Sequence, residues 1–238
     1  MDQLLVALDV DTLAEAVDLT RRLRGLAGGF KVGSRLFSSH GPSVVDTLVS
    51  NGERVFLDLK FHDIPNTVAG AVTAATRHGA WMVDVHTCGG AAMMRAARTA
   101  ADDEAARLGR PAPVVIGITV LTSLNTQALT EVGVAGSIED QVARLAGLAQ
   151  SAGLDGVVAS PREIPLIQRE CGQSFLIVTP GIREANDAKG DQSRTMSAPE
   201  ALAAGASYLV VGRPILSAPD PRVAAENIVA SCRSGMPR

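Results

Sequence analysis

The sequence predicts an α/β chain folded as a single-domain (β/α)8 TIM barrel over residues 1–238, on three observations. Eight short β-type runs recur along the 238 residues. They alternate throughout with alanine- and leucine-rich stretches of helical spacing. The runs are near-continuous in apolar residues, as parallel strands covered on both faces must be, and their repeat of roughly 25 residues matches a strand plus its return helix. Eight such units close naturally into a barrel. An open doubly wound sheet competes with this reading, but the Gly-x-Gly-x-x-Gly turn expected after its first strand is absent.

In chain order the strand runs are "LLVALDV", "GFKVG", "RVFLDLK", "WMVDVHT", "PVVIGITV", "DGVVAS", "FLIVTPG" and "SYLVVGR". Helical spacing is expected over 12–26, 34–50, 67–78, 91–108 and 138–151. Two connections exceed the two to six residues usual for a βα loop: 122–136 after strand five, and the polar, glycine-bearing 180–196 after strand seven. Loops of such length are often lids or binding loops. The second stops at "SAPE", where Ser197 can cap the next helix and Glu200 can complete a capping box. No linker, low-complexity tract or charge block divides the chain.

Composition narrows the function classes. A hydrophobic content of 46% is ample for a substantial core. A net charge of −3 and a pI near 5.8 give no electrostatic footprint for nucleic acid or a membrane surface, which points to a small-molecule partner. Cys88, Cys171 and Cys232 are widely spaced, odd in number and without a metal-type pair, so a reduced compartment and a cytoplasmic location are expected. The N-terminus lacks the basic and apolar regions of a signal peptide, and no run of about 18 apolar residues occurs. Of the 22 basic residues only Lys31, Lys60 and Lys189 are lysines. A chain so biased to arginine points to lysine where an ammonium with adjustable protonation is needed.

The strand ends carry the chemistry, because in a barrel their C-terminal ends face one mouth. Strand one offers Asp9, strand two Lys31, strand three Asp58 and Lys60, and strand four Asp84 and His86. Asp58 and Lys60 are spaced i, i+2 and so share one side of their strand. Asp63 follows on the loop. Simpler readings compete: Asp63 before "IPNT" suits a helix N-cap with proline in the first turn, Asp9 or Asp11 suits the cap of helix one, and Lys31 alone suits a snorkelling stem. Together, an Asp-Lys-Asp array costs several kcal/mol in desolvation unless its charges satisfy one another or a ligand. His62, Asp84 and His86 raise a metal site, but one Asp-x-His pair without a third ligand of recognisable spacing is thin support, and no metal is expected. Cys88 reads better as a small buried thiol than as a nucleophile. After strands seven and eight, "TPGIR" ends in Arg183, "VVGRPI" brings Gly212 and Arg213, and the intervening loop brings Gln192. Barrels commonly bind phosphate here through backbone N–H groups and arginine, although Arg183 alone could be a surface charge.

These residues resemble the bacterial orotidine 5′-phosphate decarboxylase family. "LDLKFHDIPNT" matches its Asp-x-Lys-x-x-Asp-Ile-x-x-Thr signature, and Asp9, Lys31, "VLTS", "TPGIR", "DQSR" and "VVGRPI" follow in its order and spacing from strand one to strand eight. The resemblance implies a homodimeric, cofactor-free enzyme with shared active sites that converts orotidine 5′-monophosphate to UMP and CO2, the last step of de novo UMP biosynthesis. It implies Lys60 as proton donor, Asp58 beside the substrate carboxylate, and Asp63 reaching into the partner subunit's site. Lys31 would bridge the ribose and the carboxylates, and Asp9 a ribose hydroxyl. Thr122 with Ser123 would meet the pyrimidine amide, and Thr67 the ribose from the partner chain. Arg183, Gln192, Gly212 and Arg213 would hold phosphate, and Ile64 and Pro180 would complete the substrate-binding set. Related sugar-phosphate decarboxylases and aldol-type synthases share the barer Asp-x-Lys-x-x-Asp pattern but use magnesium and are not expected to carry the full signature.

The chemistry agrees with that assignment. Loss of CO2 from a pyrimidine carbon leaves an sp² carbanion poorly placed for delocalisation, and nothing in the sequence suggests a cofactor as electron sink. A fixed ammonium stabilises the carbanion and then protonates it, with the flanking carboxylates expected to keep Lys60 charged. A Schiff-base lyase is the enzymatic alternative, but its lysine must be neutral and two adjacent aspartates oppose that. A non-enzymatic phosphate-ligand sensor would leave the Asp-Lys-Asp array idle.

Overall fold

In a computed structural model that describes residues 1–182 and 196–235, the eight apolar runs are eight parallel strands. They are β1 (Leu4–Ala7), β2 (Gly29–Gly33), β3 (Val55–Phe61), β4 (Met82–His86), β5 (Val114–Ile118), β6 (Gly156–Val158), β7 (Leu176–Thr179) and β8 (Tyr208–Val211). Each pairs with its sequence neighbours, and β8 pairs with β1, so the sheet closes as the expected TIM barrel. The helices are α1 (Leu13–Leu23), α2 (Ser34–His40), α3 (Ser43–Ser50), α4 (Pro65–Arg77), α5 (Gly90–Arg107), α6 (Thr126–Glu131), α7 (Ile138–Ser151), α8 (Ile164–Cys171), α9 (Ala198–Ala204), α10 (Arg213–Leu216) and α11 (Pro221–Gly235). Among the described residues no helix is long and apolar enough to cross a membrane.

Strand alternation divides the core in two. Leu4, Val6, Phe30, Val32, Val55, Leu57, Val83 and Val85 face the helices and pack against Leu19, Leu36, Val44, Val72 and Met94. Leu5, Ala7, Phe56, Met82, Ile116, Val178 and Val210 fill the barrel interior. Each fully buried Leu, Val or Phe contributes about 1.5–3 kcal/mol by leaving water. By the same alternation Lys31, Asp58 and Asp84 point inward, above Phe56 and Met82, so the polar array stands on an apolar floor.

Three local readings change. The helix expected over 34–50 is two, α2 and α3, because Gly41 takes a left-handed φ of 63° and Pro42 follows as the next N-cap, where a ring nitrogen cannot continue the ladder. Helix α1 is capped neither by Asp9 nor by Asp11 but by Thr12, whose hydroxyl accepts the Glu15 N–H while Glu15 closes the capping box. Cys88 is exposed on a short 3-10 turn rather than buried, whereas Cys171 and Cys232 are buried. The 122–136 connection is partly helical: Asn125 caps α6 by accepting the Ala128 N–H. Glu200 accepts from the N–H and hydroxyl of Ser197, the capping box read from "SAPE".

Candidate active site

The C-terminal mouth of the barrel opens into a cavity of about 680 Å³. Asp9, Lys31, Asp58, Lys60, Thr122, Pro180, Gly212 and Arg213 all line it, from strands one, two, three, five, seven and eight. Phe56, Ile118, Val158 and Val210 add an apolar wall. A small planar ring with polar substituents suits such a mixed lining.

Asp58 is the centre of the polar group. Its Oδ2 lies 3.0 Å from the Lys31 ammonium, and its Oδ1 accepts from the Lys60 ammonium. Lys31 also approaches Asp9 Oδ1 at 3.5 Å. Burial opposes the charge on Asp58, yet Lys31, the neighbouring Asp84 carboxyl group and Lys60 outweigh it and hold the carboxyl at about 2. Burial likewise opposes the charge on Lys31, but Asp58 and Asp9 outweigh it and raise its pKa. The snorkelling reading of Lys31 therefore gives way: its side chain is 11% exposed and its head is paired inside the barrel. Gly33 accommodates this head, because a Cβ there would sit 3.1 Å from Lys31 Nζ.

Lys60 owes its position to a break in the β3–β4 ladder. Leu57 pairs with Val83 and Phe61 with Val85, so β3 uses four residues where β4 uses two. At the break Lys60 adopts φ 52°, the only positive φ of a non-glycine among the described residues. A side chain there costs roughly 1–2 kcal/mol. Its N–H goes not to a backbone carbonyl but to Asp84 Oδ1 at 2.8 Å. This turn brings the ammonium back onto Asp58, two residues earlier.

The remaining expected residues fall into three groups. Asp63, Ile64 and Thr67 do not line this cavity; they belong to an exposed run, 62–67, in which Ile64 is 66% exposed. The cap reading of Asp63 is corrected here, since Ile64 is the N-cap of α4 and Asp63 Oδ1 accepts only the adjacent Ile64 N–H, at 2.6 Å. Ser123 is exposed and outside the cavity lining, beside Thr122, which is in it. Arg183 and Gln192 lie outside the described residues. The metal alternative does not assemble: Asp84 is turned under β3, His86 packs against the His62 ring at 5.3 Å, and no group of three or more potential ligands forms among the described residues.

One residue, Arg35, was missed in the sequence, and the role of another, Asp84, was not seen. Arg35, in the first turn of α2, lines the cavity and holds the exit of β1 by a bidentate pair with Asp11 at 2.6 and 2.7 Å and a bond to the Asp9 carbonyl. Its signal was an arginine four residues after Lys31. Asp84 was visible as a strand-end charge, but not as the acceptor for Lys60.

Comparison with known proteins agrees with this geometry. A family model described as the orotidine 5′-phosphate decarboxylase / HUMPS family matches residues 2–228. Over 230 residues the chain is 57% identical to the orotidine 5′-phosphate decarboxylase of Moorella thermoacetica, covering 96% of this chain and 91% of that protein. It is 52% identical to the namesake in Syntrophotalea carbinolica, covering 95% and 93%. The crystal structure of orotidine 5′-phosphate decarboxylase from Lactobacillus acidophilus superposes with a TM-score of 0.86 at 35% identity, covering 96% of this chain and 98% of that one. With a matching family model over nearly its whole length and a lysine–aspartate–lysine chain at the mouth of its barrel, this chain belongs to the orotidine 5′-phosphate decarboxylase / HUMPS family.

Proposed function

We propose that Lys31, Asp58 and Lys60 carry the decarboxylation of orotidine 5′-monophosphate to UMP and CO2, the last step of de novo UMP biosynthesis, with Lys60 as proton donor. The observation that carries this reading is the Asp58 carboxylate held between two ammonium groups in the lining of the cavity. The substrate's carbon–carboxylate bond breaks, CO2 leaves, and the electron pair stays on the ring carbon. An ammonium already fixed beside that carbon stabilises the charge without reorganising, and then gives up its proton. Solvent returns a proton to the amine. Asp58 would crowd the substrate carboxylate, with a repulsion on the order of 4 kcal/mol at 4 Å in a medium of effective dielectric 20. The mechanism rests mainly on transition-state stabilisation, since the ammonium–carbanion attraction exists only after the bond begins to break. No step requires a metal or an organic cofactor.

Around the reacting carbon, Asp9 and Lys31 would bind the ribose, Thr122 and Ser123 the pyrimidine amide, and Gly212 and Arg213 the phosphate, with Pro180 beside them. Arg183 and Gln192 would join the phosphate site. Asp63, Ile64 and Thr67 would act in the site of a partner subunit. Their consecutive exposure, and their absence from this chain's own cavity lining, support a homodimer with shared sites.

Loss of absorbance as orotidine 5′-monophosphate becomes UMP, followed with EDTA present, tests the activity. Turnover unaffected by the chelator is expected; no turnover, or turnover abolished by EDTA, would overturn the reading. Arg213→Ala tests the phosphate end. A charged, bidentate contact implies a loss in kcat/KM of about 10- to 100-fold. Part of it should appear in kcat, because phosphate binding energy holds the ring against the array in the transition state. Unchanged steady-state constants, or equal rates with a substrate lacking phosphate, would remove Arg213 from the site.

A further inference from the structure

Asp84 is a buried ionisable group at the site that the proposed reaction leaves unused. It is fully buried beneath the cavity and does not line it. Its Oδ1 accepts the Lys60 N–H at 2.8 Å. Its Oδ2 is buried with no N–H or hydroxyl aimed at it. A carboxylate in that position would carry its charge beside the Asp58 carboxylate and leave one oxygen unserved, a costly arrangement in a dry interior. A carboxylic acid removes both difficulties, because the protonated oxygen becomes a donor and Asp58 is the acceptor within reach.

We propose that Asp84 is a positioning residue: held as a neutral carboxylic acid, it accepts the main-chain N–H of Lys60 and donates to Asp58, fixing the turn that returns the Lys60 ammonium to the reacting carbon. This inference rests on the reading of Lys60 as proton donor. The bulge explains why a side chain is needed at all. Between the Leu57–Val83 and Phe61–Val85 pairs the ladder has slipped, and the Asp84 carboxyl supplies the acceptor that a regular neighbouring strand would have offered. It also locks the left-handed Lys60 backbone, a conformation that persists only when its surroundings over-determine it.

The electrostatics run in the same direction. Burial, then the charge of Asp58 and the hydrogen bond to it, push the Asp84 pKa well up, while Lys60 opposes them. The facing ionisable groups are Asp58 and Lys60 on β3 and Lys31 on β2. On the other side β5, "VVIGI", carries none. In the unfolded chain this carboxyl ionises near pH 3.9. The native state therefore keeps a proton that the unfolded state releases, and stability attributable to Asp84 falls as pH rises above about 4.

Three variants separate the possibilities. Asp84→Ala should lower kcat by about 10²-fold, the scale of a small misplacement of a catalytic group, with KM moving much less. Asp84→Asn keeps an oxygen for Lys60 and an N–H for Asp58, and should recover most of what Asp84→Ala loses. Its Tm should exceed that of the wild type by a few degrees at pH 8, with the gap closing towards pH 4. An Asp84→Asn enzyme as impaired as Asp84→Ala would mean that a charge is needed there. A Tm gap independent of pH would mean that Asp84 is not held neutral. Either result overturns the proposal, as does Asp84→Ala at wild-type kcat. If Asp84→Ala does not fold, the kcat of Asp84→Asn and its pH-dependent Tm gap still decide. An active Lys60→Ala would instead strike the proton-donor reading and leave the Tm result standing, so the two failures are distinguishable.

Discussion

Lys60→Ala is expected to reduce kcat on the order of 10⁴-fold or more while nucleotide binding stays measurable. Proton donation by a positioned acid and electrostatic stabilisation of developing charge each contribute about 10²-fold or more, and in the proposed mechanism one ammonium supplies both. In the proposed binding mode ground-state affinity comes from other residues lining the cavity, Asp9 and Lys31 towards the ribose and Arg213 towards the phosphate. The variant also relieves Asp58 of one counter-ion, leaving its Oδ2 with Lys31 at 3.0 Å. Steady-state kinetics and titration with UMP check both halves of the expectation. A kcat near that of the wild type would remove Lys60 from the chemistry.

Mixing two inactive chains should restore activity. Lys60→Ala and Asp63→Ala proteins, each nearly inactive alone, are unfolded together and refolded in equal amounts. Random pairing makes half of the dimers mixed, and under two-fold symmetry each mixed dimer holds one doubly damaged site and one intact site. Activity should then return to roughly a quarter of wild type. The structure gives this test its edge, because Asp63 is exposed, caps nothing beyond the adjacent Ile64 N–H, and does not line the cavity of its own chain. No recovery above the separate mutants would refute the shared site. An Asp63→Ala protein active on its own would show that the carboxylate has no part in catalysis.

The barrel was legible because its signal is repeated and local. Eight near-continuous apolar runs, most of them bounded by charge, glycine or proline, read as strands without any knowledge of their partners. The break between α2 and α3 was missed because helical spacing runs through both halves and hides the Gly41-Pro42 pair that separates them. Asp9, Lys31, Asp58 and Lys60 were legible for a different reason: charges closing buried strands stand out against their neighbours. The left-handed backbone of Lys60 was not legible, since it depends on a ladder slip against β4 and on a carboxyl 24 residues away. Asp84 itself looked like one more mouth charge. Its burial, and hence its protonation, is set by the neighbours that closure of the barrel brings around it. Cys88 failed in the opposite direction, as a residue type usually buried that ends on an exposed turn.

The central claim is that an ammonium at position 60, held against Asp58, protonates the carbon that loses CO2. Lys60→Cys treated with 2-bromoethylamine tests it most directly, because the alkylated side chain restores an ammonium at nearly the length of lysine. The Lys60 side chain is 38% exposed, so the site is open to the reagent. Lys60→Ala treated in parallel accounts for alkylation at the exposed Cys88. The account predicts that decarboxylation returns in the alkylated Lys60→Cys protein and not in the treated Lys60→Ala control. Alkylated Lys60→Cys that binds UMP, carries the modification at position 60 by mass, and still turns over no faster than Lys60→Ala would contradict it.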